Sequence, residues 1–206
     1  MTIIRILTLA VSLITMLPVS ARADDYAKGM DAYFAGKYTT AFKLIKPAAD
    51  AGNFLAEYQL GLMYDFGQGI RENNAEALDW YRKAANKNDP RAEVALAQRL
   101  MDGRDIARDQ AGAISWYRKA AAQGQLTALL RLAVAYRDGQ GVPKDVVLAH
   151  VFASKQIGKM DLIERRKLSL AMSLTAEQRA ESNAFQDAWV WPQHDELPAA
   201  SKTGQK

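Results

Sequence analysis

The sequence predicts an all-α protein, namely a solenoid of stacked helix-turn-helix repeats that ends in a helical cap. The first observation behind this prediction is the hexapeptide WYRKAA, which occurs at 80–85 and again, 36 residues later, at 116–121. The second is that leucine, alanine and glycine positions return at the same interval elsewhere in the chain. The third is that apolar residues inside each interval are spaced three and four apart, as on one face of an α-helix.

The first half of each interval predicts one helix. An alanine, a leucine and a small residue align there, at Ala56, Ala92 and Ala128, at Leu60, Leu96 and Leu132, and at Gly61, Ala97 and Ala133. Because the alanine and the leucine are four residues apart, they lie on one stripe of the helix. The small residue beside the leucine would let a neighbouring helix approach closely.

The second half of each interval predicts a second helix. Four residues there have the spacing of one helical face, and their types recur 36 residues later: Ala77, Trp80, Tyr81 and Ala84. We interpret WYRKAA as a packing stripe in which Trp80 and Trp116 wedge between adjacent repeats. The basic residues of the motif are predicted to point to solvent, namely Arg82, Lys83, Arg118 and Lys119. A pair of identical ligand sites is the alternative interpretation.

Residues that favour helix ends recur at the same period. Side chains that can accept backbone N–H bonds at a helix start precede the predicted helices, at Asn53, Asn73, Asp89, Asp109 and Asp145. Residues that tolerate a left-handed backbone stand at the predicted helix ends, at Gly52, Asn88 and Gly124. Start and stop signals that recur together favour a repeated helix pair.

The segment from Ala56 to Ala85 reads A-x-x-x-L-G-x-x-Y-x-x-G-x-G-I-x-x-N-x-x-x-A-x-x-W-Y-x-K-A-A. This pattern resembles the Sel-one-like repeat (SLR), a longer relative of the tetratricopeptide repeat (TPR). The resemblance implies a right-handed α-solenoid that binds other proteins and performs no catalysis. The predicted segments are a leading TPR-like unit at 24–52, three SLR repeats at 53–88, 89–124 and 125–160, a helical C-terminal cap at 161–191 and a disordered tail at 192–206.

The first 23 residues have the pattern of a secretion signal. Arg5 precedes the uncharged apolar run 6–17, Pro18 ends that run, and residues 21–23 form a small-x-small cleavage site. A membrane anchor is the alternative, but a run of this length spans only roughly 18 Å of a ~30 Å hydrocarbon layer. We therefore expect an exported protein without a membrane span after cleavage. It would be periplasmic in a Gram-negative host and otherwise secreted.

The composition points away from several kinds of chemistry. The chain has no cysteine, and its two histidines, His150 and His194, belong to no metal-binding pattern. The glycine pairs 67–69 and 139–141 lack the strand, helix and lysine of a phosphate loop. We therefore predict no catalytic, cofactor-binding or metal-binding residues. Removal of the signal would leave a net charge of +2, which gives little reason to expect nucleic acid as a partner.

The resemblance also implies a binding surface, because the first helices of TPR-like arrays line a groove. The implied groove positions are Tyr26, Met30, Tyr33, Tyr58, Leu62, Asp65, Val94, Gln98, Met101, Leu130, Val134 and Arg137. Their apolar, aromatic and scattered polar side chains would suit another protein or a peptide. The alternative is that they pack on neighbouring helices or on the chain's own C-terminal segment, which contains Trp189 and Trp191.

These features predict an exported, non-catalytic adaptor or regulator in the bacterial envelope that binds another protein or peptide. A structural subunit of an envelope complex is the alternative. An enzyme that acts on cell wall or β-lactams is less favoured, because the exported relatives linked to such activity are rich in cysteine and this chain has none.

Overall fold

The computed structural model of the chain describes residues 19–103, 106–157 and 174–188. Within these ranges the regular structure is entirely helical, which confirms the predicted all-α class. The helices are α1 (Val19–Phe34), α2 (Tyr38–Asp50), α3 (Phe54–Asp65), α4 (Asn74–Ala85), α5 (Pro90–Asp102), α6 (Gln110–Ala122), α7 (Leu126–Asp138), α8 (Val146–Ile157) and α9 (Ala176–Ala188). The sequence therefore forms consecutive helix pairs.

The N-terminal unit extends to Trp80, within α4, where the chain divides into two compact units. In it α1 packs on α2 and α2 packs on α3. Its core is built from buried apolar residues of α2 and α3, namely Ala41, Ile45, Ala48, Ala49, Ala56, Leu60 and Met63. Trp80 joins this core with only 7% of its surface exposed, which is the buried position predicted for it.

The C-terminal unit begins at Tyr81, and its helices α5 to α9 each pack on the next in chain order. The aligned alanines and leucines of its repeats are fully buried, including Leu96 and Leu132. Trp116 differs from Trp80, because it is half-buried at the edge of the core. Lys119 is exposed, as predicted, and its Nζ lies 4.1 Å from the centre of the Trp116 ring. Trp116 is therefore only partly packed into the core of this unit.

The predicted helix starts are confirmed by hydrogen bonds. The Oδ1 of Asn53 accepts from the N–H groups of Leu55 and Ala56 at 3.0 and 3.2 Å. The side chains that begin later helices also accept backbone N–H bonds, namely those of Asn73, Asp89, Asp109 and Asp145. Each such cap contributes about 1 kcal/mol, so together they fix where the helices begin.

The loops between helices depend on glycine at two equivalent places. At Gly69, φ is +76° and an added Cβ would lie 2.3 Å from the carbonyl oxygen of Tyr38. At Gly141, φ is +73° and an added Cβ would lie 2.6 Å from the carbonyl oxygen of Gln110. Glycine thus lets the loop between α3 and α4 contact the first residue of α2. In the same way, it lets the loop between α7 and α8 contact the first residue of α6.

The C-terminal cap helix α9 begins with a reciprocal pair of hydrogen bonds. The Thr175 N–H donates to the Gln178 side chain at 3.0 Å, and the Gln178 N–H donates to the Thr175 hydroxyl at 3.2 Å. The cap helix packs on α8, where His150 Nδ1 lies 3.0 Å from the Oγ of the buried Ser182. The predicted tail, residues 158–173 and most of the signal lie outside the described residues, although α1 itself runs through Ala23.

Candidate protein-binding surface

In the N-terminal unit, α1 contributes three of the predicted groove residues. Tyr26, Met30 and Tyr33 are spaced four and three apart, and all three are half-buried against the core. The Tyr33 hydroxyl donates a 2.7 Å hydrogen bond to the Oε1 of Gln68, in the loop that follows α3. The Tyr33 ring also lies edge-on to Tyr38, with centroids 5.2 Å apart. These contacts hold Tyr33 in one position.

The next helix of this unit, α3, presents two of its three predicted residues. Tyr58 and Leu62 are half-buried and retain accessible surface. Asp65 is only 7% exposed, so little of its side chain is accessible to a partner. The chain turns directly after α3, where the Gln68 N–H donates to the Met63 carbonyl at 2.8 Å.

In the C-terminal unit, α5 contributes Val94, Gln98 and Met101, which are all half-buried. Val94 and Met101 pack against the core of the unit. The Oε1 of Gln98 accepts a hydrogen bond of 3.1 Å from the hydroxyl of Tyr117, on α6. Its Nε2 donates to Asp102 at 2.9 Å. Gln98 is thus a fixed polar group in a surface that is otherwise apolar.

The helix α7 is the first helix of the other hairpin in this unit. It contributes Leu130, Val134 and Arg137, which are likewise half-buried. Arg137 forms two hydrogen bonds of 2.7 Å with the carboxylate of Asp138. This pairing raises the pKa of Arg137 and lowers the pKa of Asp138. The Arg137 charge is therefore compensated within its own helix end, and the two aliphatic residues provide the open part of α7.

One polar contact of the candidate surface, made by the buried Tyr117, is not predicted by the repeat pattern. Tyr117 belongs to the WYRKAA stripe and was interpreted only as core, yet its hydroxyl reaches Gln98. Burial raises the pKa of Tyr117 to about 12, with the nearby charge of Arg131 opposing this effect and that of Asp102 adding to it. Tyr117 is therefore a neutral hydrogen-bond donor. The sequence does indicate such a contact, because a tyrosine at a core position usually requires a hydrogen-bond partner for its hydroxyl group.

Four large hydrophobic side chains are exposed in the described structure, and all belong to the N-terminal unit. They are Phe34, Tyr38, Phe54 and Phe66, of which Phe34 is the most accessible at 78%. Phe34 and Tyr38 both lie at the turn between α1 and α2. The 36-residue period identifies positions that recur but not their exposure, so it does not identify these side chains.

The described residues contain no group of three or more His, Asp or Glu side chains that could hold a metal ion. No helix within the same ranges has the length and apolar character that crossing a membrane requires.

Consecutive helix pairs with partly open first helices define a helical repeat protein. The model of the Sel1 repeat matches residues 29–53, 55–89, 90–125 and 126–155, which is more than half of the chain. The chain therefore belongs to the Sel1 repeat family.

The chain resembles a solved structure over most of its length and two other proteins over about a third of it. A crystal structure of a Sel1 repeat protein from Oxalobacter formigenes superposes with a TM-score of 0.67 and 29% identity, covering 85% of this chain and 77% of that one. The ERAD-associated E3 ubiquitin-protein ligase component HRD3A of Arabidopsis thaliana is 36% identical over 64 residues, or 31% of this chain. The chitin synthase regulator SKT5 of Saccharomyces cerevisiae is 36% identical over 74 residues, or 36% of this chain. The matched segments make up only 9% and 11% of these two relatives.

Proposed function

We propose that this chain is a non-catalytic adaptor or regulator that binds another polypeptide along the first helices of its repeats. The observation that carries the proposal is the half-buried state of the first-helix side chains in both units. Their inner atoms are fixed by the core, whereas their outer atoms remain accessible to a partner. Such a surface suits binding because little conformational entropy is lost when a partner docks.

The names of the relatives support a role of this kind. One relative is a component of a ubiquitin ligase and the other is a regulator of chitin synthase, so neither name describes the repeat segment as an enzyme. We propose that this chain acts in the bacterial envelope after export. That location is supported by the charge, apolar run and cleavage pattern of residues 1–23.

The proposal is tested by changing the surface of α3 without changing its core. Tyr58→Asp combined with Leu62→Asp should abolish capture of a crosslinked partner from the native host, because both side chains are accessible. The matched control is Thr40→Asp combined with Lys43→Asp, on the exposed face of α2. Both double variants should keep their helical circular dichroism. Undiminished capture by the α3 variant would contradict the proposed surface, and capture of nothing by the unaltered protein would contradict the function.

A further inference from the structure

Charge is divided unequally between the two units. Residues 24–80 contain nine acidic and five basic side chains, which is a net charge of −4. Residues 81–154, which precede α9 in the C-terminal unit, contain twelve basic and seven acidic side chains, which is a net charge of +5, whereas α9 contains three acidic side chains and one basic side chain. A local excess of this size raises the concentration of oppositely charged ligands near the surface.

Most acidic side chains of residues 81–154 are buried, cap a helix or bond to a neighbouring side chain. Asp89, Glu93 and Asp145 are buried, and the first and last of these cap helices. Two exposed carboxylates have local partners, since Asp102 accepts from Gln98 and Asp138 pairs with Arg137. In the helices α5 to α8, the exposed charged side chains are therefore mostly basic.

One of these basic side chains stands on the candidate binding surface itself. Arg131 is exposed on α7, next to Leu130 and three residues before Val134. Its charge is close enough to lower the pKa of Tyr117, whose hydroxyl is bonded to Gln98 on α5. Arg131 therefore lies on α7 near the predicted surface residue Val134, within electrostatic range of the tyrosine that is bonded to α5.

We propose that the first-helix surface of the C-terminal unit binds an acidic polypeptide segment that also carries apolar side chains. Carboxylates of that segment pair with Arg131, whose guanidinium can hold a carboxylate by two parallel hydrogen bonds. Its apolar side chains contact Val94, Leu130 and Val134. The net charge of the unit accelerates the encounter. This inference rests on the proposed function and adds the chemistry of the partner.

The test uses the full chain and three labelled peptides of equal length with the same apolar residues. The remaining positions are glutamate in the first peptide, lysine in the second and glutamine in the third. Fluorescence anisotropy should show tightest binding of the glutamate peptide, with an affinity that falls as salt is added. Arg131→Glu should weaken this binding about tenfold or more, whereas Arg131→Lys should retain most of it. Asp102→Asn should strengthen it, because a competing carboxylate is removed.

The control variant is Lys83→Glu, which makes the same change in charge on the exposed face of the second helix α4. An equal loss in Lys83→Glu and Arg131→Glu would overturn the inference, because it would indicate diffuse attraction of any polyanion. Preferred binding of the lysine peptide would also overturn it. Equal binding of all three peptides that is lost in Leu130→Asp would overturn the charge preference but leave the first-helix surface as the binding site. Self-association in light scattering that competes with the peptide would assign the surface to a second copy and overturn the inference as well.

Discussion

The Oε2 of Glu93 accepts a hydrogen bond of 2.8 Å from the side-chain amide of Gln123. This contact joins the first turn of α5 to the turn between α6 and α7, and Glu93 is only 1% exposed. The other carboxylate oxygen, Oε1, has no hydrogen-bond partner among the described residues. Burial therefore raises the pKa of Glu93 to about 7, against the opposing effects of Lys119 and Gln123.

Glu93 should make the unfolding free energy depend on pH. Its folded pKa of about 7 exceeds the ordinary value of 4.5, so the folded state holds an extra proton between these values. This contribution stabilises the fold at low pH and is lost as pH rises through about 7. Glu93→Gln should remove this dependence, so its effect on the unfolding free energy should be more stabilising near pH 8 than near pH 5 by about 2 kcal/mol. Denaturant unfolding at both pH values checks this, with the exposed Glu76→Gln as control. Parallel pH profiles for the unaltered protein and Glu93→Gln would contradict it.

The aligned leucines should dominate the stability of their hairpins. Leu60→Ala should destabilise the protein by about 2–5 kcal/mol, because a fully buried side chain leaves a cavity in the N-terminal core. Leu62→Ala, two residues later on the same helix, should cost about 1 kcal/mol or less, because its side chain is only half-buried. Thermal unfolding of both variants measures the difference. Similar costs would mean that the core of this unit is misassigned.

The loop contact at Gly141 should be more sensitive than an ordinary left-handed glycine. Gly124→Ala should cost about 1–2 kcal/mol, since φ is +78° but nothing lies within 4 Å of the added Cβ. Gly141→Ala should cost more, since the Cβ would also lie 2.6 Å from the Gln110 carbonyl oxygen. Chemical denaturation of the two variants tests the ranking. The reverse order would show that the loop and α6 do not meet in solution.

The docking of α9 on α8 should weaken in acid. Burial lowers the pKa of His150 below its ordinary value of 6.5, and the charge of Arg179 on α9 adds to this effect. The folded state thus favours the neutral ring, and its advantage is present above 6.5 and lost as pH falls below it. Proteolysis within α9 should therefore increase near pH 5 compared with pH 8. His150→Gln, which is never charged, should flatten that difference, and an unchanged pH response in this variant would contradict the role of His150.

The helix pairs could be predicted because each depends on short-range information. The leucines at 60, 96 and 132 and the caps at Asn53 and Asp145 repeat at a period that translates directly into helices and their ends. Burial of the leucines follows from the same stripe. These features need no knowledge of how distant helices cross, which is why the structure agrees with them.

The candidate surface could be predicted only in part, because it depends on packing between separate helices. The alignment identified Gln98 but not its bond to Tyr117, which lies 19 residues away on another helix. The alignment with other repeats includes Asp65, although only 7% of that residue is exposed. The charge asymmetry was also hidden, because the net charge of the whole chain averages two units of opposite sign.

The contact between Gly141 and Gln110 has a consequence for how the molecule is made. The start of α6 gains this backbone neighbour only from residues that are translated 31 positions later. As the polypeptide leaves the ribosome, the first turn of α6 therefore cannot make this backbone contact until α7 and the loop after it have been synthesised. The same holds for α2, whose first residue, Tyr38, meets Gly69 of the following hairpin.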